Sequence, residues 1–277
     1  MIVVSTIEEL RHARGGLASP LGLVPTMGYL HAGHLGLVRA ARAQNPSVAA
    51  TIFVNPTQFG PNEDLASYPR APERDLRLLE EAGVDLVFTP SVEDIYPSGF
   101  STFVDVGPIA DRLEGKSRPG HFRGVATVVA KLFNLVQPQR AYFGQKDGQQ
   151  CVVVKKLTDE LGLPVDIVVV PTVREPDGLA LSSRNVYLTP VERIAARVLS
   201  ASLRGARAAF ENGERGGEAL RQLVQSQIER EPLAKPDYVS VADAATLEEV
   251  DRITRPVIVS LAVRIGRARL IDNEILG

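Results

Sequence analysis

The chain has 277 residues, 44% hydrophobic and 23% charged, with a formal net charge of −2, which fits one large or two moderate globular domains and excludes a low-complexity chain. The mixed charges leave no basic footprint for nucleic acid and no patch for a membrane surface. A single cysteine, Cys151, excludes an internal disulfide, and with no long apolar run and acids already at Glu8 and Glu9, a cytoplasmic protein without a membrane span is expected.

Residues 21–27 form an apolar run ending at Gly28 and predict a strand, and Leu35, Val38 and Ala41 repeat at helical spacing behind it. The segment His31-Ala32-Gly33-His34 therefore falls at a helix N-terminus. Unpaired backbone N–H groups and the positive end of the macrodipole suit a polyphosphate there. His31 and His34 would share one side of the first turn, where imidazoles can donate to phosphoryl oxygens as charge builds. Spacing alone leaves equally open that one histidine caps the helix and the other is half buried. With only His12 and His121 besides and one cysteine, a zinc site is not expected.

Residues 47–54 read as a buried parallel strand that stops at Asn55-Pro56 and delivers Gln58 to the carboxyl end of a sheet, where such folds bind ligands. A helix over 72–82 and a strand over 84–88 extend the alternation expected of a parallel sheet with right-handed crossovers. Residues 110–117, ADRLEGKS, nearly match a Walker A loop. Ala110 replaces the first glycine, 111–114 has helical character, and Arg118-Pro119-Gly120 follow where a helix should begin, so the match is rejected. Lys116, Arg118 and His121 read instead as a basic loop near phosphates.

An apolar helix over 122–136 and a strand over 140–144 lead into Gln145-Lys146-Asp147-Gly148, with a helix over 149–161 behind. This places Lys146 at the sheet's carboxyl edge on the first domain, Asp147 where it can cap, and Gln150 one turn in. A strand over 165–170 precedes a Pro- and Gly-rich hinge over 171–178. Past it, Leu181-Ser182-Ser183-Arg184-Asn185 groups two hydroxyls with a guanidinium, suited to multidentate phosphate contact or to a helix cap. Two amphipathic helices, near 191–210 and 217–229, and strand-like stretches at 238–241 and 257–264 then read as a smaller α+β domain.

In this order and spacing, PTMGYLHAGH, NPTQF, YPR, RPGHF, FGQKD and LSSRN resemble the pantothenate synthetases, ATP-dependent ligases with the HxGH signature of nucleotidyltransferases. The resemblance implies an α/β fold with a Rossmann-like parallel-sheet domain over 1–173, binding ATP and pantoate, and a smaller α+β lid domain over 174–277. It implies an ATP site lined by Met27, Gly28, Tyr29, Leu30, His31, Ala32, Gly33 and His34. Gly144, Gln145, Lys146, Asp147, Val173, Leu181, Ser182, Ser183 and Arg184 would complete it. His34 is the implied general acid, with His31, Lys146 and Arg184 stabilising charge, and Gln58 and Gln150 match the pantoate-binding glutamines. The expected partners are pantoate, β-alanine, ATP with Mg2+ and a second copy of the chain, with no nucleic acid. Pantoyl adenylate would form first and be attacked by β-alanine, releasing AMP; the rival expectation is a nucleotidyltransferase that forms no amide. Three positions depart from the family pattern: Gln145 for glutamate, Gly148 for an aromatic and Leu181 for methionine. The acidic residues near the metal are matched only by Asp75 beside Arg74, so no protein ligand is assigned to magnesium.

Overall fold

Strands β1 (Ile2–Val4), β2 (Leu21–Thr26), β3 (Ser47–Ile52), β4 (Leu86–Phe88), β5 (Arg140–Gly144) and β6 (Asp166–Val170) pair in parallel, in the order β1-β4-β3-β2-β5-β6. The structure is a computed structural model describing residues 1–61 and 63–277. Helices α1 (Ile7–Gly15), α2 (Ala32–Gln44), α3 (Pro72–Glu81), α4 (Val92–Ile95), α5 (Glu114–Ser117), α6 (His121–Val136) and α7 (Gly148–Glu160) connect these strands. Burial on both sheet faces explains the apolar sequences of the inner strands β2, β3, β4 and β5, whereas the edge strands β1 and β6 are more exposed. In the register Val24, Ala50 and Val87 are aligned neighbours, and Leu37, Val38 and Ala41 of α2 and Leu79 of α3 pack into the same cluster. The helical spacing read in the sequence thus marks the buried stripe of α2, with Leu37 rather than Leu35 as its leucine. Strand order reverses between β2 and β5, which puts the ligand-binding crevice of such a sheet at the carboxyl ends of these two strands.

The chain divides into two compact units, Met1–Gly144 with Val153–Val170, and Gln145–Val152 with Pro171–Gly277. Lys146 and the first turn of α7 therefore go with the second unit rather than with the strand before them. That unit holds helices α8 (Pro190–Ala195), α9 (Arg197–Glu211) and α10 (Gly217–Glu229) and an antiparallel sheet of β7 (Ala234–Asp243), β8 (Val257–Ile265) and β9 (Ala268–Leu276). Leu199, Leu203 and Ala206 of α9 and Leu220, Val224 and Ile228 of α10 repeat at helical spacing and pack on Val257, Val259, Leu261 and Val263. Ile258 faces the other way, toward Gly148.

Several elements differ from the sequence expectation. The helix expected over 191–210 breaks at Ala196, and β7 begins earlier than expected because a register shift between Pro236 and Tyr238 accommodates the proline. Residues 111–114 are not a helix: a 3-10 turn ends at Asp111, Leu113 takes φ +45°, and α5 starts only at Glu114.

Candidate active site

The turn after β2 is set by hydrogen bonds that the strand's end leaves to be made. The Thr26 hydroxyl donates to the Thr51 carbonyl (2.7 Å) and accepts from Gly28 N–H (3.2 Å). Gly28 sits at φ +81° and Tyr29 at φ +50°, so glycine is required where the chain first turns left-handed. Two consecutive amides then point at one carboxylate: Tyr29 N–H donates to Asp75 Oδ2 (2.6 Å) and Leu30 N–H to Asp75 Oδ1 (2.8 Å). Asp75, on α3, is 1% exposed. Both its oxygens thus hold the turn that delivers the histidines to the head of α2.

His31 is the N-cap of α2, its Nδ1 accepting from Gly33 N–H (3.1 Å), while His34 Nδ1 accepts from His31 N–H (3.3 Å). The imidazoles form a reciprocal capping box, with ring centroids 4.1 Å apart. An Nδ1 that accepts from an amide carries no proton, so each neutral ring keeps its hydrogen on Nε2. The two readings of the pair, cap and phosphate ligand, are therefore compatible: one nitrogen caps and the opposite edge presents a donor.

Met27 and Gln58 also come together, Gln58 Nε2 donating to Met27 Sδ (3.2 Å) while its Oε1 accepts from Asn55 Nδ2 (3.0 Å). Asn55 is 1% exposed and also donates to the Gly124 carbonyl (3.1 Å), with its Oδ1 accepting from Tyr96 Oη (2.7 Å). The backbone of Gln58 is held from α6: His121 Nδ1 lies 2.8 Å from the Gln58 carbonyl oxygen. A carbonyl only accepts, so the proton is on Nδ1 and His121 Nε2 accepts from Arg118 Nη1 at 3.1 Å. Arg118 pairs in turn with Glu63, Nη2 to Oε2 at 2.6 Å. His121 is 9% exposed, and burial beside the Arg118 guanidinium pushes its imidazole down to about 4. Arg118 and His121 are thus turned onto the Gln58 segment, which differs from the basic phosphate loop expected of them.

In the second unit Lys146 Nζ lies 3.2 Å from Asp147 Oδ1. Val173 and Leu181 are bridged by the bond from Leu181 N–H to the Val173 carbonyl (3.0 Å), which closes the expected hinge into a hairpin. The Ser182 hydroxyl accepts from Arg184 N–H (3.3 Å) and caps the 3-10 turn Ser183–Tyr187. Arg174 anchors the hairpin, donating to both oxygens of Asp272 (2.6 and 3.0 Å) and to the Gly178 carbonyl (3.1 Å). Met27–His34, Gln58 and Gly144 belong to the first unit, and Gln145–Asp147, Gln150, Val173 and Leu181–Arg184 to the second.

The pantoate-β-alanine ligase family model matches residues 2–275. The pantothenate synthetase of Roseiflexus castenholzii is 62% identical, covering all of this chain and 99% of its own. Among solved structures, pantothenate synthetase from Thermus thermophilus superposes with a TM-score of 0.94 at 51% identity, covering 99% of both chains. The chain belongs to the pantoate-β-alanine ligase family. The ligase of Francisella tularensis, solved with β-γ ATP and β-alanine, has a TM-score of 0.80 at 37% identity, covering 99% of this chain and 97% of its own.

Two departures from the family pattern acquire a local reason. A Cβ at Gly148 would lie 2.5 Å from Ile258 Cδ1, so the tip of that β8 side chain fills the space beside the glycine and would have to move to admit a larger residue. Gln145 Nε2 donates to Asn273 Oδ1 (2.7 Å), a bond that an ionised glutamate could not make. Each Asp75 oxygen accepts one amide of the turn, and among the described residues no group of three or more His, Cys, Asp or Glu comes together. Sequence reasoning missed Asn55, Asp75 as a clamp, and Asn273. The signals it could have used are an Asn-Pro strand end and an Asp-Asn pair inside an apolar run.

Proposed function

We propose that this chain joins pantoate to β-alanine in an ATP-dependent, AMP-forming reaction that makes pantothenate. The observation that carries the mechanism is the capped imidazole pair at the head of α2, with Nδ1 of each ring engaged by the backbone. On this reading the pantoate carboxylate attacks the α-phosphorus of ATP, and the bond to pyrophosphate breaks. His34, with His31, donates through Nε2–H to oxygens that gain charge in that step, and Lys146 and Arg184 neutralise the phosphates. Met27–Gly33, Gly144–Asp147, Val173 and Leu181–Ser183 bind the nucleotide, while Gln58 and Gln150 read the carboxylate and hydroxyls of pantoate. The β-alanine amine then attacks the acyl carbon, forming the amide and releasing AMP. Magnesium would enter with ATP, held through the substrate's phosphates. A homodimer and a cytoplasmic location extend the reading.

The test is pyrophosphate exchange into ATP with a panel of carboxylic acids, with and without amines. Exchange that requires pantoate, and amide formation on adding β-alanine, are the expected results. Pantothenate made without any pantoate-dependent exchange would refute the adenylate route, and an adduct released without amide formation would favour the nucleotidyltransferase reading.

A further inference from the structure

Strand β9 carries a polar stretch, Asp272-Asn273-Glu274, between the apolar residues Leu270-Ile271 and Ile275-Leu276, and its first two members are buried, at 2% and 5% exposure. Successive strand residues face opposite sides. Asp272 takes Arg174 of the hairpin, and Asn273 takes the segment before α7. Asn273 Nδ2 donates to the carbonyls of Gln145 (2.8 Å) and Lys146 (2.9 Å), and its Oδ1 accepts from Gln145 Nε2 (2.7 Å). The amide's orientation follows from its partners, because two carbonyls can only accept. On the same face, register aligns Ser240, Ser260 and Asn273 across the three strands, and Ile258 packs at Gly148.

Two bonds from one buried side chain to the Gln145 and Lys146 carbonyls, and a third to the Gln145 side chain, therefore hold the segment on which Lys146 is carried. A buried amide without partners is destabilising, so the strand tolerates asparagine here because the Gln145-Lys146 segment satisfies it. We propose that Asn273 is a positioning residue for the adenylation step, holding Lys146 for the ATP phosphates through the Gln145 and Lys146 carbonyls. This rests on the reading of Lys146 as a phosphate ligand. It also gives Gln145 a role: its amide completes the lock with a donor that glutamate lacks.

The test is a double-mutant cycle on the full chain, with single-turnover adenylate formation and the ATP dissociation constant as readouts. Asn273→Ala is expected to lower the adenylation efficiency for ATP about tenfold, and to add little in a Lys146→Ala background, because both changes remove one interaction. Gln145→Ala, at a half-buried position, removes one of the three bonds and keeps the test open should Asn273→Ala not fold; a smaller, equally non-additive loss is expected. Losses that add to that of Lys146→Ala, or a lowered unfolding midpoint with unaltered ATP kinetics, would overturn the proposal. Lys146→Ala without effect on ATP would overturn the phosphate-ligand reading, and the proposal with it, and is distinguished by that single variant alone.

Discussion

His121 makes the anchoring of the Gln58 segment sensitive to acid. Its imidazole is pushed from 6.5 down to about 4 by burial and by Arg118, with its Nδ1–H spent on the Gln58 carbonyl. The unfolded chain binds a proton at this residue from about pH 6.5 downward, whereas the folded chain resists until about pH 4. Its stability contribution is thus fully present above the unfolded value and is lost as pH falls through that window. The linkage integral gives a loss of about 2 kcal/mol between pH 7 and pH 5, and about 3 kcal/mol once both forms are protonated. Urea unfolding of the native chain and of His121→Gln at pH 7, 6 and 5 isolates the term, since the other three histidines are common to both. The native chain should lose about 2 kcal/mol more than the variant over this range. Parallel pH dependences would refute the placement of a neutral, buried imidazole. Titration followed by proton resonances gives an independent check: one histidine of the four should stay neutral to about pH 4.

Asp75→Asn replaces one of two carboxylate acceptors by an NH2 group facing a backbone N–H. It should cost about 2–4 kcal/mol of stability, because hydrogen bonds to a buried charge are worth about 1.5–3 kcal/mol each, and should slow adenylation by displacing the histidine turn; urea unfolding and pyrophosphate exchange would read the two effects, and a variant normal in both would contradict the clamp. His34→Ala should lower the single-turnover adenylation rate by about 10²- to 10³-fold while weakening ATP binding far less, the behaviour of a lost transition-state donor; an unchanged rate removes His34 from that role. Gln58→Ala should weaken pantoate and leave ATP near its native affinity by calorimetry, and equal losses for both ligands would reject the assignment.

The parallel sheet was legible because its inner strands are apolar on both faces and because Leu35, Val38 and Ala41 repeat with a helical period, although α2 buries Leu37 in place of Leu35. The helix head was legible because glycine and histidine cluster where a strand ends. What sequence could not decide at His31 and His34 was which nitrogen does what, since that depends on where the Gly33 and His31 amides point. Strand β9 escaped notice because Asp272 and Asn273 interrupt its apolar pattern, and their partners, Arg174 and Gln145, lie about a hundred residues or more away in sequence. Asp75 was visible as an acid beside Arg74, but its work on the Tyr29 and Leu30 amides is a tertiary fact. The Lys146 segment was placed with the strand before it by chain order, whereas Ile258 and Asn273 draw it to the other unit.

The reciprocal histidine cap has a consequence for how the site responds to its own ligand. Each imidazole is a conjugated ring with an acceptor on one edge and a donor on the other, so an anion loading Nε2–H enriches the electron density at Nδ1 and strengthens its hold on the amide behind. Occupancy of the proposed phosphate site and rigidity of the first turn of α2 would then reinforce each other. The amide hydrogens of His31 and Gly33 should accordingly exchange with solvent more slowly when nucleotide is bound, and more than amides further along the same helix. In this turn the backbone itself becomes a reporter of occupancy.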